Sequence, residues 1–316
     1  MPAPLRVFSA LFATALCAAT MSACGDDSGA EAGGDSVTLG FVNGANTEFH
    51  TCLQRAVEAQ AKTSGATVVA ANSKQDPGTE LANIEDMISR SVDALIVQTV
   101  NVDALKNDIT KAKAAGIPIF LTSVITQDTS DILGAVVVDL KGVGALNAGY
   151  VATDAGTAQV EVGVIAGAPG AASDLLVNGF KDALPANATL VANQPGMFNR
   201  AKAQDVAENM IQAHPNLRYA FVANEDMAFG ALQAFQAAGK NVKIVTVNGT
   251  DDGLAAVKDG RFAATVANSA TVTGQLAVKN TISLLNKETA EKIANTPIKL
   301  ITKDNLSEAP QYCLEG

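Results

Sequence analysis

Only two histidines, His50 and His214, occur in the chain, and they lie far apart in sequence. A zinc site needs three or four clustered His, Cys or carboxylate ligands, and neither a CxxC pair nor an HExxH motif is present. No metal is expected. Nucleophilic and phosphate chemistry lack their signatures as well. There is no GxxxxGK[ST] loop and no GxSxG elbow. Gly163 to Gly170 (GVIAGAPG) is glycine-rich after an apolar run but lacks the GxGxxG spacing, and Gly142-Val143-Gly144 is half of that motif. Loop glycines at a turn or beside a ligand explain both. The sequence therefore predicts neither an enzyme nor a bound cofactor.

Cysteine chemistry is more informative. Residues 1–23 read as a leader, with Arg6 as a thin positive region and Val7 to Ala19 as an apolar run too short to span a bilayer. Met21-Ser22-Ala23-Cys24 is similar to a bacterial lipobox, with Met21 where Leu is usual. Residues 24–35 are small, polar and acidic, as a flexible tether should be. These features predict lipidation of Cys24, a membrane anchor, and an extracytoplasmic location in the periplasm or on the cell surface. The alternative is a cleaved secretory signal with an incidental cysteine. Loss of Cys17 with the leader and lipidation of Cys24 leave Cys52 and Cys313. An even pair in an oxidising compartment favours a disulfide, and two unpaired buried thiols are the alternative.

The elements that must position any site follow from composition and periodicity. The chain has 316 residues, 48% hydrophobic and 17% charged, enough for two cores. Its net charge of −10, without Lys/Arg clusters, argues against a nucleic-acid partner. Short apolar runs rich in β formers alternate with amphipathic stretches from Ser36 onward, first to Val138 and again from Gly142 to Ile301. Strands separated by helices imply βαβ units and parallel sheets, so the predicted class is α/β with two Rossmann-like lobes. Ligands of open parallel sheets sit beyond the strand C-termini, so the residues just after each strand matter most.

At those loops the chain resembles type I periplasmic solute-binding proteins of the ribose-binding group, over roughly residues 36–303. The segments that carry the resemblance are Asp76-Pro77-Gly78-Thr79-Glu80-Leu81, Ala220-Phe221-Val222-Ala223-Asn224-Glu225-Asp226, Val245-Thr246-Val247-Asn248-Gly249-Thr250 and Asp259-Gly260-Arg261-Phe262, with Ala213-His214-Pro215 before the second. Their order and spacing carry the likeness. The resemblance implies two lobes joined by a three-stranded hinge, with crossings near Val138–Asp139, Asn268–Ser269 and Ile298–Lys299. The lobes would then be 36–138 plus 269–298 and 139–268 plus 299–303, followed by a tail at 304–316. It further implies a monomer that holds a ligand between its lobes and presents its closed form to ABC permease subunits.

Carried over position by position, the resemblance implies a polar contact at Asn43 and aromatic walls at Phe49, His50 and Phe198. His50 replaces the usual Phe and either covers a ligand face while hydrogen-bonding it or is an exposed loop residue. Phe198 is otherwise a core side chain. Asn224 matches a ligand-contacting amide. Asn248 stands where the family has Asp, and Asn268 where it has Gln. Asp139 matches a hinge-side acid, with a helix-cap role as the alternative. Ser123-Val124 stands where sugar binders carry Asp-Arg. Leu176 stands at a cleft arginine, with Asp174 two residues before it, and Asp139 and Asp174 leave a cation open. Amides and apolar residues in place of these charged groups imply a small neutral sugar or polyol, with fewer hydroxyls than a pentose or hexose ring. The competing function is a receptor that passes a sugar or autoinducer-type signal to a membrane protein, and a repressor core is disfavoured because no DNA-binding segment precedes residue 36.

Overall fold

The computed structural model describes residues 36–315. Lipidation of Cys24, the leader and the tether lie outside the described residues. The first lobe builds up as β1 (Thr38–Asn43), α1 (Glu48–Thr63), β2 (Thr67–Asn72), α2 (Pro77–Ser89), β3 (Ala94–Gln98), α3 (Leu105–Ala114), β4 (Ile119–Ser123) and β5 (Gly134–Val138). The second follows as α4 (Leu140–Ala155), β6 (Val160–Ala166), α5 (Ala171–Ala183), β7 (Ala188–Pro195), α6 (Arg200–Ala213), β8 (Leu217–Val222), α7 (Glu225–Ala237), β9 (Lys243–Asn248), α8 (Asp251–Asp259) and β10 (Ala264–Asn268). The chain then returns with α9 (Ala270–Leu285) and β11 (Ile293–Thr296), and crosses again into β12 (Ile298–Ile301).

Two six-stranded sheets result, ordered β11-β5-β4-β3-β1-β2 and β12-β10-β9-β8-β6-β7. The first is wholly parallel, and the second is parallel except for β12, which runs antiparallel to β10. Apolar side chains cover both faces of the first sheet, in one cluster around Phe41, Leu53 and Phe120 and another around Ile84, Leu95 and Leu121. That double coverage is why its strands read as unbroken apolar runs. The second core gathers around Phe180, Phe221 and Phe235, with Phe180 stacked on Phe221 at 4.7 Å between centroids.

Helix starts are set by side chains that accept the first free amides. Asp76 takes Thr79 N at 2.6 Å ahead of Pro77, and Asn199, Asn224, Thr250 and Ser269 cap α6, α7, α8 and α9. In the second lobe, α4 and α5 approach through glycine. A Cβ on Gly144 would sit 2.2 Å from the Leu176 carbonyl oxygen, and one on Gly179 2.1 Å from that of Lys141. This contact fixes the helix that carries Ser173 and Leu176.

Three features differ from expectation. The third crossing falls at Pro297, so Ile298 belongs to the second lobe's sheet. Proline has no N–H to continue a ladder and separates β11 from β12. The short strand β11 is absent from the sequence pattern, since Ala294 is its one buried apolar residue. Helix α1 begins at Glu48, which puts Phe49 and His50 on its first turn and not in a loop or at its edge. The tail folds back on the first lobe, where the expected cysteine pair meets. Tyr312 is buried among first-lobe residues, and the Cys313 and Cys52 sulfurs are 2.08 Å apart.

Candidate ligand-binding site

A cavity of about 410 Å³ is lined by residues from both lobes, at the C-terminal ends of β3, β4, β5, β9 and β10 and the starts of α1, α5 and α7. Its size suits a small molecule. Phe49, His50, Ser123, Phe198, Asn224, Asn248 and Asn268 all line it. A second space of about 480 Å³ at its mouth shares Phe49, Phe198, Asn224 and Asn248 and adds Tyr312.

Three of the expected residues lie elsewhere. Asn43 is buried one layer behind, where its Nδ2 donates to the His50 carbonyl oxygen at 2.9 Å. Asp139 is exposed, caps α4 by accepting from Gly142 N at 2.8 Å, and opens on an outer groove of the second lobe. Asp174 is exposed on the side of α5 that turns away, while its neighbour Ser173 lines the cavity. Among the described residues, no Asp, Glu, Lys or Arg lines the cavity.

His50 is the centre of a hydrogen-bonded chain. Its Nε2 lies 2.9 Å from Gln98 Oε1 and its Nδ1 2.7 Å from Thr47 Oγ1. Gln98 Oε1 also accepts from Gly44 N at 3.2 Å, which fixes the amide orientation because a backbone N–H can only donate. His50 therefore donates from Nε2, and the Thr47 hydroxyl donates to Nδ1. Gln98 Nε2 makes no hydrogen bond to any described residue, and the side chain lines the cavity. Gln98, the last residue of β3, thus adds an amide to the polar residues around the cavity.

Burial lowers the His50 pKa from 6.5 to about 4, against the opposing hydrogen bond that His50 donates to Gln98. The unfolded ring takes up a proton near pH 6.5 and the folded ring only near 4, so this site costs stability as pH falls through that window. The full loss is on the order of 3 kcal/mol at 1.36 kcal/mol per pH unit. Buried Glu80 and Glu225 act in the opposite sense. Their raised pKa values add stability below the ordinary carboxylate value, and that contribution fades as pH rises through the folded value. Direct titration separates the two effects. The ring C–H resonances of His50 are expected to titrate with a midpoint near 4, and a midpoint near 6.5 would contradict the buried neutral imidazole.

Strained backbone gathers at the cavity, and two of the six unpaired buried side-chain oxygens among the described residues lie there. Ser123 Oγ and Asn268 Oδ1 are buried without a hydrogen-bond partner in the protein. Eight non-glycine residues have positive φ among the described residues, and five of them, Gln75, Ser123, Met197, Phe198 and Asn248, line the cavity. Each such residue costs about 1–3 kcal/mol and persists where its surroundings hold it, commonly at ligand clamps. Two buried carboxylates provide that hold. Glu80 accepts from Thr99 Oγ1 at 2.7 Å and Val100 N at 2.6 Å, which secures the loop after β3. Glu225 accepts from Gly249 N, Thr250 N, Thr250 Oγ1 and Thr265 Oγ1 at 2.5–2.9 Å, which secures the loop after β9.

The walls are apolar. Phe49 and His50 meet edge to face at 5.5 Å, and Leu176, Val124 and Phe198 complete the enclosure. Gly167 lies flat against Phe198, since a Cβ there would be 2.1 Å from Phe198 Cζ. Gly167→Ala is expected to push the ring from its place and weaken binding of a cleft ligand about tenfold, measured by calorimetry, while the melting temperature changes by only a few degrees. Unchanged affinity would remove Phe198 from the ligand's wall. At the mouth, the Glu48 carboxyl is held above the usual carboxylate range by burial and then by Glu225, Asp252, Asp226 and Asp251. Glu48, Asp226 and Lys74 line that mouth, so the rim carries both signs of charge around an uncharged cavity.

Two mostly parallel sheets with a neutral cavity between their strand C-termini define a two-lobed small-molecule binder. The model of the periplasmic binding protein domain family matches residues 39–289, and the chain belongs to that family. The ribose import binding protein of Bacillus subtilis (strain 168) is 31% identical over 273 residues, covering 84% of this chain and 87% of that protein. A xylitol-binding protein of Mycolicibacterium smegmatis is 27% identical over 297 residues, covering 92% of this chain and 84% of that protein. Among solved structures, an ABC transporter solute-binding protein from Mycobacterium smegmatis with bound glycerol superposes with a TM-score of 0.82 at 25% identity, covering 89% of this chain and all of that one. The family binds substrates for transport and is not enzymatic.

Proposed function

We propose that this chain is the lipid-anchored substrate-binding protein of an ABC importer, a monomer that captures a small neutral sugar or polyol between its lobes. The observation that carries this is the cavity lining. Amides, hydroxyls and aromatic rings converge on it, and no charged side chain does. A hydroxylated neutral ligand matches such groups without requiring a buried ion to be paired. Relatives named for ribose and xylitol import or binding, and a neighbour that holds glycerol, support the class. The ligand contacts we assign are Phe49, His50, Ser123, Phe198, Asn224, Asn248 and Asn268, joined by Gln98. Anchorage through Cys24 and a Cys52–Cys313 disulfide complete the assignment; the bridge is supported by sulfurs at bonding distance.

Deletion of the chain in its host is expected to abolish high-affinity uptake of one labelled neutral sugar or polyol, and re-expression to restore it. Cys24→Ala should release the protein from the membrane fraction. Unaltered uptake across ribose, xylitol, allose and myo-inositol would contradict the transport assignment.

A further inference from the structure

The C-terminal tail connects the lobes a fourth time. After β12 it stays on the second lobe, where Asn305 Nδ2 donates to the Leu300 carbonyl oxygen at 3.0 Å and Lys299 pairs with Glu308. It then reaches the first lobe. Gln311 O accepts from Ser269 Oγ at 2.5 Å, and Tyr312 O accepts from Thr271 N and Thr271 Oγ1, both at 3.1 Å. Helix α9, which supplies Thr271, packs on α1 of the first lobe, and Cys313 meets Cys52 on α1. Tyr312 is only 3% exposed, with its ring in the first-lobe core.

The phenol reaches back across the cleft. Asn248 Nδ2 donates to Tyr312 Oη at 3.1 Å, and Asn248 Oδ1 accepts from Glu225 N at 3.3 Å. Asn248 is the last residue of β9, has φ +148°, and lines both the cavity and its mouth. Its amide is thus held at one end by its own lobe and at the other by the opposite lobe. Asparagine has two donor hydrogens and an acceptor with two lone pairs, so each clamp leaves one valence for a ligand.

We propose that Tyr312 is a positioning residue for the ligand: anchored in the first lobe, it fixes the Asn248 amide of the second, so that ligand capture and lobe apposition share one hydrogen bond. This rests on the assignment of Asn248 as a ligand contact. Burial, and then the nearby Glu225 and Glu48 carboxyls, hold the phenol well above its ordinary pKa, so it remains a hydroxyl that accepts from Asn248 at any pH the protein meets. A lobe-spanning bond that needs a particular separation adds to the preference for that separation and raises apparent affinity.

The test uses Tyr312→Phe in the full chain, which keeps the ring and removes only the hydroxyl. Two readouts are taken. In the ligand-free protein, the Asn248 side-chain amide resonances of an ¹⁵N-labelled sample are expected to shift, and small-angle scattering to show a larger radius of gyration. With xylitol, D-ribose and myo-inositol as probes, affinity for whichever binds is expected to fall three- to tenfold. In an Asn248→Ala background the same substitution should have no further effect, as residues acting through one bond are not additive. An unmoved Asn248 amide signal, or equal losses in both backgrounds, would overturn the proposal. Asn224→Ala serves as the control. If it leaves probe affinity unchanged, the site assignment itself fails; if it weakens binding while Tyr312→Phe does nothing, only the role of Tyr312 falls.

Discussion

Asn224→Asp is expected to weaken ligand binding by ten- to a hundredfold while the protein melts at an unchanged temperature. Asn224 has two jobs. Its Oδ1 accepts from Met227 N at 2.8 Å and caps α7, and its Nδ2, with no partner among the described residues, belongs to a side chain that lines the cavity. Aspartate caps a helix as well as asparagine does, and its charge suits a helix N-terminus. The cap survives. What disappears is a donor toward the ligand, and what arrives is a carboxylate in a cavity without a cation. A lost hydrogen bond and an unpaired polar group together are worth about 1–3 kcal/mol. Asn224→Ala loses the donor as well but should also cost about 1 kcal/mol of stability through the lost cap. Calorimetric titration and thermal melting of the two variants separate the roles. Equal affinity of Asn224→Asp and the parent would remove Asn224 from the site.

Glu225→Ala should be the most destabilising single change near the cleft, by about 3–5 kcal/mol in urea denaturation. The carboxylate is 2% exposed and takes four hydrogen bonds. Hydroxyls of Thr250 and Thr265 can rotate to other partners. The amides of Gly249 and Thr250 cannot, and they would be left buried and unpaired. Glu225→Gln should recover only part of the loss, because its NH2 group would face donors. Gly253 packs against the same group, since a Cβ there would stand 2.0 Å from Glu225 Cδ. The damage should reach the ligand, because Gly249 and Thr250 directly follow Asn248. A loss below about 1 kcal/mol would contradict the assignment of Glu225 as the clasp of that loop.

The lobes were legible in the sequence because their strands are buried on both faces and their helices carry one apolar stripe. β11 was not, since its four residues, Ile293–Thr296, include two polar ones and its pairing with β5 is a tertiary event. The resemblance points to Ser123, Asn248 and Asn268, and the structure places all three at the ends of their strands, lining the cavity. The rule that ligands gather at strand C-termini points to Gln98, the last residue of β3, but its importance depends on Gly44 and His50 closing on its carbonyl. Asp174 shows the limit of position alone. Each helical residue turns by about 100°, so Ser173 faces the cavity and Asp174 does not. Asp139 directly follows β5, and its carboxyl is spent on the cap of α4. Tyr312 carried no signal, because its place in the cleft is created by a tail that folds back across both lobes.

On the proposed assignment, the cleft accepts neutral, hydroxylated molecules and rejects charged ones. Thermal melting of the purified protein with matched pairs tests it directly: xylitol and D-ribose against their phosphate esters and the corresponding sugar acids. A true ligand at a hundred times its dissociation constant adds about 2.7 kcal/mol of apparent stability, a shift of several degrees. The neutral member of at least one pair should raise the melting temperature, and its charged partner should not. A sugar phosphate or sugar acid that stabilised the protein as much as its neutral parent would contradict the neutral cavity.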